Sequence, residues 1–229
     1  MRIFQLLQFM RGAKKEMSKQ ATESMLSKIN RLIGVDESYK APERIMEIIS
    51  DKVIAKEVFF KFLQEFDYDL SYEWFNKYFE DEHADRKNKK QDFTPTSVSR
   101  LISEIQGSQP HYGAIYEPAA GTGSTIISHW YRESRKHQFP WDYQPDNYLY
   151  LCEELSDKTI PFLLFNILIR GMNALVIHGN TLTREAKEVY HCDNKLNSYM
   201  CFSELKKLPH TKEVEKICNI KFIDTQIEE

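Results

Sequence analysis

The sequence predicts an α/β fold: half of a doubly wound, mostly parallel sheet with flanking helices, preceded by an all-helical segment. Three observations predict it. Residues 114–124, AIYEPAAGTGS, read as strand, glycine turn and helix start. Two further short apolar runs, 148–152 and 174–179, follow at crossover spacing, each after a helical pattern, which makes two right-handed crossover units. Before residue 80, apolar residues recur at helix spacing without strand-like alternation.

The helical opening runs from 17 to 65, with Met25, Ile29, Leu32 and Ile33, then Ile45, Ile48, Ile49 and Val53, on apolar faces. Pro42 falls in a first turn, where its missing N–H costs nothing. A further helix is expected from Ser71 as N-cap, with Glu73 as an early acid ahead of Trp74, Phe75, Tyr78 and Phe79. Aromatic residues at that spacing read as core rather than as a base-stacking surface. Residues 81–91, DEHADRKNKKQ, form a solvated connector whose basic end could meet phosphate. Thr94 or a neighbour then caps a helix carrying Val98, Leu101, Ile102 and Ile105, with Pro95 in its first turn.

After the glycine turn a helix is predicted over 122–136 and a proline-bearing loop over 137–146. The second strand ends in Glu153-Glu154. A helix over 155–171 stops at Gly171, and the third strand ends in Gly179-Asn180-Thr181. In the tail, 198–202 reads as a short strand and 211–218 as a helix.

Composition narrows the function. The chain has 229 residues, 27.1 kDa and 41% hydrophobic residues, enough for a real core. Its longest apolar run, at 160–169, is broken by Asn166 and falls short of the ~20 residues of a membrane span, so no membrane is expected. The N-terminus, MRIFQLLQFMRGAKK, reads as an amphipathic helix rather than a signal peptide, which points to the cytoplasm. Four cysteines without a CxxC pair read as reduced thiols, and no metal set is evident. A net charge of -3 and a pI of 6.2 exclude a protein that coats nucleic acid by charge; any DNA contact comes from a local patch or a partner.

In such a sheet the ligand sits outside the carboxyl ends of the strands. Strand one delivers Glu117 and the turn of Gly121 and Gly123, strand two Glu153 and Glu154, strand three Asn180. A carboxylate can accept both hydroxyls of a ribose, and an amide can both donate to and accept from an adenine edge. The third glycine of GxGxxG is replaced by Ile126, and no GxxxxGK[ST] loop occurs, so NAD and ATP are disfavoured. A turn preceded by Glu-Pro-Ala-Ala, without a pyrophosphate grip, fits S-adenosylmethionine better.

These residues carry a family resemblance. QDFTP at 91–95 is similar to the YTP-type segment of the N-6 adenine-specific DNA methyltransferases, and YEPAAGTGS at 116–124 to their DPACGSG motif. YLCEELSDKTIPFLLFNILIRG at 150–171 resembles their acidic strand end and following helix, and HGNTL at 178–182 resembles GDTL. The resemblance is especially to the modification subunits of type I restriction systems and phage-encoded relatives. The resemblance implies a partial Rossmann-like, S-adenosylmethionine-dependent methyltransferase fold over 91–229, truncated, with residues 1–90 as the helical segment. It implies that Phe93, Thr94 and Pro95 border the methionine part of the cofactor. Glu117, Pro118, Ala119, Gly121 and Gly123 would line its backbone-facing side, Glu154 would bind the ribose and Asn180 would face the adenine. Asn180 replaces the acid of GDTL.

The family's catalytic NPPY or NPPF segment has no counterpart: from 183 to 229 there is no Pro-Pro pair, and the single proline is Pro209. No catalytic residue is therefore assigned. The expected function is S-adenosylmethionine binding in DNA adenine methylation, in a restriction-modification or phage-defence setting, without catalysis by this chain alone. Two alternatives stand beside it: an interaction or regulatory protein that keeps the methyltransferase fold, and a methyltransferase for a small molecule or protein. With half of a doubly wound sheet, strand one becomes an edge, which the tail, a second copy or a partner subunit is expected to cover.

Overall fold

The computed structural model describes residues 23–84, 96–105 and 112–223. Among the described residues four helices come first: α1 (Met25–Ile33), α2 (Ala41–Ser50), α3 (Lys52–Glu65) and α4 (Phe75–Ala84). The Ser24 hydroxyl caps α1, accepting from Ser27 N at 3.1 Å, and Gly34 ends it in the left-handed conformation. Asp51 caps α3 by accepting from the N–H groups of Val53 and Ile54. Helix α4 begins later than Ser71 because a different residue caps it. The two oxygens of Glu73 accept from Phe75 N and Asn76 N, both at 2.6 Å, while Ser71 N donates to Asp69 in a preceding turn.

Helix α5 (Thr96–Ile105) then leads to a six-stranded sheet. Its strands are β1 (Gly113–Glu117), β2 (Tyr148–Glu154), β3 (Ala174–Asn180), β4 (Glu185–Asp193), β5 (Glu204–Lys207) and β6 (Lys221–Phe222). The spatial order is β1-β2-β3-β4-β5, with β6 on β4. Strands β1, β2 and β3 are parallel, joined by the crossover helices α6 (Ser124–Ser134) and α7 (Ile160–Ile169), as the spacing predicts. Helix α7 starts after 155–159, which form turns: Glu154 accepts Ser156 N at 2.9 Å, and Thr159 N returns to Ser156 O. A last helix, α8 (Lys212–Cys218), is capped by Thr211.

The tail departs from expectation. β4, unassigned from the sequence, runs antiparallel to β3, and a register shift between His178 and Gly179 breaks the two-residue alternation that would have marked it. Residues 198–202 are turns rather than a strand. The Asn194 side-chain amide holds them there, donating to the carbonyls of Gly171, Ser198 and Cys201 at 3.0, 2.9 and 3.1 Å. The described part of the tail does not pair with the edge of β1 either. It extends the sheet beyond β3, turned back by a hairpin with Arg184 at φ 61°.

One core joins the helical segment to the sheet. Phe59, Phe62, Phe75 and Phe165 meet with ring centroids 4.7–6.1 Å apart in the contacting pairs, and Trp74 stacks on Phe66 at 4.7 Å. The residues Tyr148, Tyr150 and Cys152 of β2 point into this core. Parallel sheets normally bury both faces. Among the described residues α8 covers part of the second face, through Ile177, Val189, Cys218 and Ile220. On the rest of that face Tyr116 is 53% and Leu149 39% exposed. Among the described residues no strand pairs with the outer edge of β1.

Candidate functional site

The glycine turn links β1 to α6 at the carboxyl end of the parallel strands. Gly121 and Gly123 lie at φ 56° and 101°, in the left-handed region that side chains disfavour. At Gly123 a Cβ would also stand 3.1 Å from Leu163 Cδ1, so the turn packs tightly on α7. Ala120 N donates to Glu153 O and Gly123 N to Ala120 O, which fixes the turn against the end of β2.

Glu154 meets this turn directly. Its Oε2 accepts Gly121 N at 2.8 Å and its Oε1 accepts Ser156 N at 2.9 Å. Each carboxylate oxygen keeps a lone pair for a further donor. Asn180, at the end of β3, accepts from Leu182 N and Thr183 N at 2.9 and 3.3 Å through Oδ1, which leaves its Nδ2 for another partner. Thr181 Oγ1 donates to Pro118 O at 2.7 Å, so the turn after β3 touches the end of β1. Glu117 is half-buried. Burial pushes its carboxyl above the ordinary carboxylate range, opposed by the N–H of Ala119. Thus Glu117, Pro118, Ala119, Gly121, Gly123, Glu154 and Asn180 lie at one end of the sheet. Phe93, Thr94 and Pro95 lie outside the described residues.

Several contacts here gave no sequence signal. Glu153, on the opposite face from Glu154, accepts from Arg184 Nη1 at 2.8 and 2.9 Å and from Tyr116 OH at 2.9 Å. Arg184 also donates to the carbonyls of Cys218 and Asn219, tying the C-terminal end of α8 to the strand ends. Behind the turn, Asn76 of α4 donates from Nδ2 to Ser124 Oγ at 2.8 Å and accepts from Thr122 Oγ1 at 2.9 Å. Buried Asn166 of α7 donates to Thr122 O and to Glu73 Oε1, both at 2.8 Å. Arg170 donates to Asn166 Oδ1 and to the carbonyls of Leu70 and Tyr72, with its guanidinium over Trp74. Burial raises the Glu73 carboxyl to about 6 and lowers the Arg170 guanidinium to about 9.

A cavity of about 370 Å³ lies elsewhere, between α2, α3 and residues 200–205. Its lining is largely aromatic and aliphatic, with the Lys52–Glu204 pair at 2.6 Å, and it lacks the convergent polar groups of a nucleoside site. Among the described residues no three His, Cys, Asp or Glu side chains converge as a metal site, and no helix is long and apolar enough to cross a membrane.

The profile of the N-6 DNA Methylase family matches residues 68–206, well over half of the chain. The chain belongs to this family. The matched segment contains the glycine turn, Glu154 and Asn180, together with Glu73, Asn76 and Asn166 behind the turn. Members of the family use S-adenosylmethionine as methyl donor. Among solved structures, the chain is similar to a modification subunit assigned to a type I restriction enzyme from Vibrio vulnificus YJ016. The two share 18% identity, with a TM-score of 0.41 over 48% of this chain and 23% of that one. The chain thus spans less than a quarter of that subunit's length. No curated protein matches.

Proposed function

We propose that this N-6 DNA methylase chain binds S-adenosylmethionine at the glycine turn and serves adenine-specific DNA methylation, in a restriction-modification or phage-defence setting. The observation that carries the reading is the convergence of the Gly121–Gly123 turn, Glu154 and Asn180 at the carboxyl ends of three parallel strands. The ribose hydroxyls would donate to the remaining lone pairs of Glu154. The free amide Nδ2 of Asn180 would donate to an adenine ring nitrogen. Glu117, Pro118, Ala119 and the two glycines would line the cofactor's near side, and Phe93, Thr94 and Pro95 its methionine end. Once bound, S-adenosylmethionine supplies an electrophilic methyl group on sulfonium; this chain's part is to bind and orient the donor.

The segment 183–229 holds no Pro-Pro pair, and its first strand is spent on a hairpin with β3. We assign no target-base pocket to these residues; the β1 edge, unpaired among the described residues, and the sheet face beside it would seat a partner, a second copy or another subunit. DNA contact would follow through that partner or a local patch. Calorimetric titration with S-adenosylmethionine tests the reading: saturable heat that Glu154→Ala abolishes is expected. No heat and no thermal shift at millimolar cofactor would instead support the second reading, a noncatalytic interaction protein. Tyr116 and Leu149, exposed among the described residues, favour that second reading.

A further inference from the structure

The glycine turn is not held by the sheet alone. Glycines give the turn its shape and also its freedom, and a loop that must be ordered on binding weakens the complex by the entropy it loses. Here the two residues that flank Gly123 are gripped from outside the sheet. Asn76 uses both ends of its amide, accepting from Thr122 Oγ1 at 2.9 Å and donating to Ser124 Oγ at 2.8 Å. Asn166 takes the same Thr122 by its carbonyl at 2.8 Å. Glu73 fixes Asn166 by accepting its other amide hydrogen at 2.8 Å, and fixes Asn76 through the cap on its backbone N–H. Arg170 donates to Asn166 Oδ1 at 2.8 Å, which sets the orientation of that amide.

We propose that Asn76, with Asn166 and Glu73 behind it, is a positioning residue for the nucleoside site: the helical segment presets the glycine turn for the cofactor. The proposal rests on the S-adenosylmethionine reading above. It gives the first helices a role in binding although none of their described side chains reaches the strand ends where the cofactor would lie. The chemistry also predicts which replacement works. Ser124 Oγ can donate as well as accept, so a carboxylate at position 76 can take both hydroxyls, whereas an apolar side chain of similar size can take neither.

The test compares wild type, Asn76→Leu and Asn76→Asp in the full chain. Amide hydrogen exchange without ligand reads the turn, and calorimetry reads S-adenosylmethionine affinity. In Asn76→Leu, exchange at Gly121 and Gly123 should rise about tenfold relative to Val189 in β4, and affinity should fall by a similar factor; Asn76→Asp should restore both. Should Asn76→Leu not fold, Thr122→Val removes the same bond from the turn side. Wild-type binding with unchanged local exchange and affinity in Asn76→Leu overturns the positioning role alone. Uniformly faster exchange across the sheet, with no rescue by Asn76→Asp, overturns it as well. A wild-type protein that takes up no S-adenosylmethionine overturns the cofactor reading, and the positioning role with it.

Discussion

Replacing Glu73 by glutamine should abolish a distinct pH dependence of stability. The carboxyl is buried between α4 and α7, and desolvation raises it from its ordinary 4.5 to about 6, although Phe75 N, the Asn166 amide and Asn76 N all favour the ionised form. A folded-state value above the unfolded one means that the folded protein holds this proton more tightly. Its contribution is therefore complete below about pH 4.5 and is lost as pH rises through 6. At about 1.4 kcal/mol per unit, the loss is about 2 kcal/mol, flat at higher pH. Glutamine cannot titrate, so the difference between wild type and Glu73→Gln isolates this group from the other carboxyls, Glu117 included. Urea unfolding at half-unit steps from pH 4.5 to 7.5 measures it. The wild type should lose about 2 kcal/mol relative to the variant across that range. A difference that stays constant, or that grows in favour of the wild type with rising pH, would refute a carboxyl raised by burial.

Further outcomes follow from the same geometry. Gly123→Ala places a side chain at φ 101° and 3.1 Å from Leu163 Cδ1, and should destabilise the protein by about 1–3 kcal/mol in thermal unfolding. Asn194→Ala removes the donor to three carbonyls, and should cost about 2 kcal/mol with faster proteolysis confined to residues 195–203. Cys152 and Cys192 are buried, with thiols pushed far up by desolvation, so a thiol reagent should modify Cys201 first in the folded protein; Cys152 and Cys192 should react only on unfolding.

The parallel half of the sheet was legible because its signals are local. Apolar runs at 114–117, 148–152 and 174–179, glycines at 121 and 123, and a stop at Gly171 each act within a few residues. The tail was not legible, because tertiary contacts decide it. A bulge disrupts the alternation that would reveal β4, and the Asn194 side chain, not the aromatic content of 198–202, fixes those residues as turns. The start of α4 misled for a related reason: Ser71 is the better cap by type, yet the buried carboxylate of Glu73 takes the first helical N–H groups. At the candidate site the strand-end residues could be picked from the chain, but Asn76 could not. Its role depends on α4 packing against α6 and α7, which no spacing in the sequence announces.

The central claim is that the glycine turn binds a nucleoside cofactor, and amide chemical shifts during titration with S-adenosylmethionine test it most directly. Saturable shifts confined to Ala119–Ser124, Glu154–Ser156 and Asn180–Thr183, and absent in Glu154→Ala, are the predicted result. Unchanged shifts at millimolar cofactor, or shifts centred on the cavity between α2, α3 and residues 200–205, would contradict it.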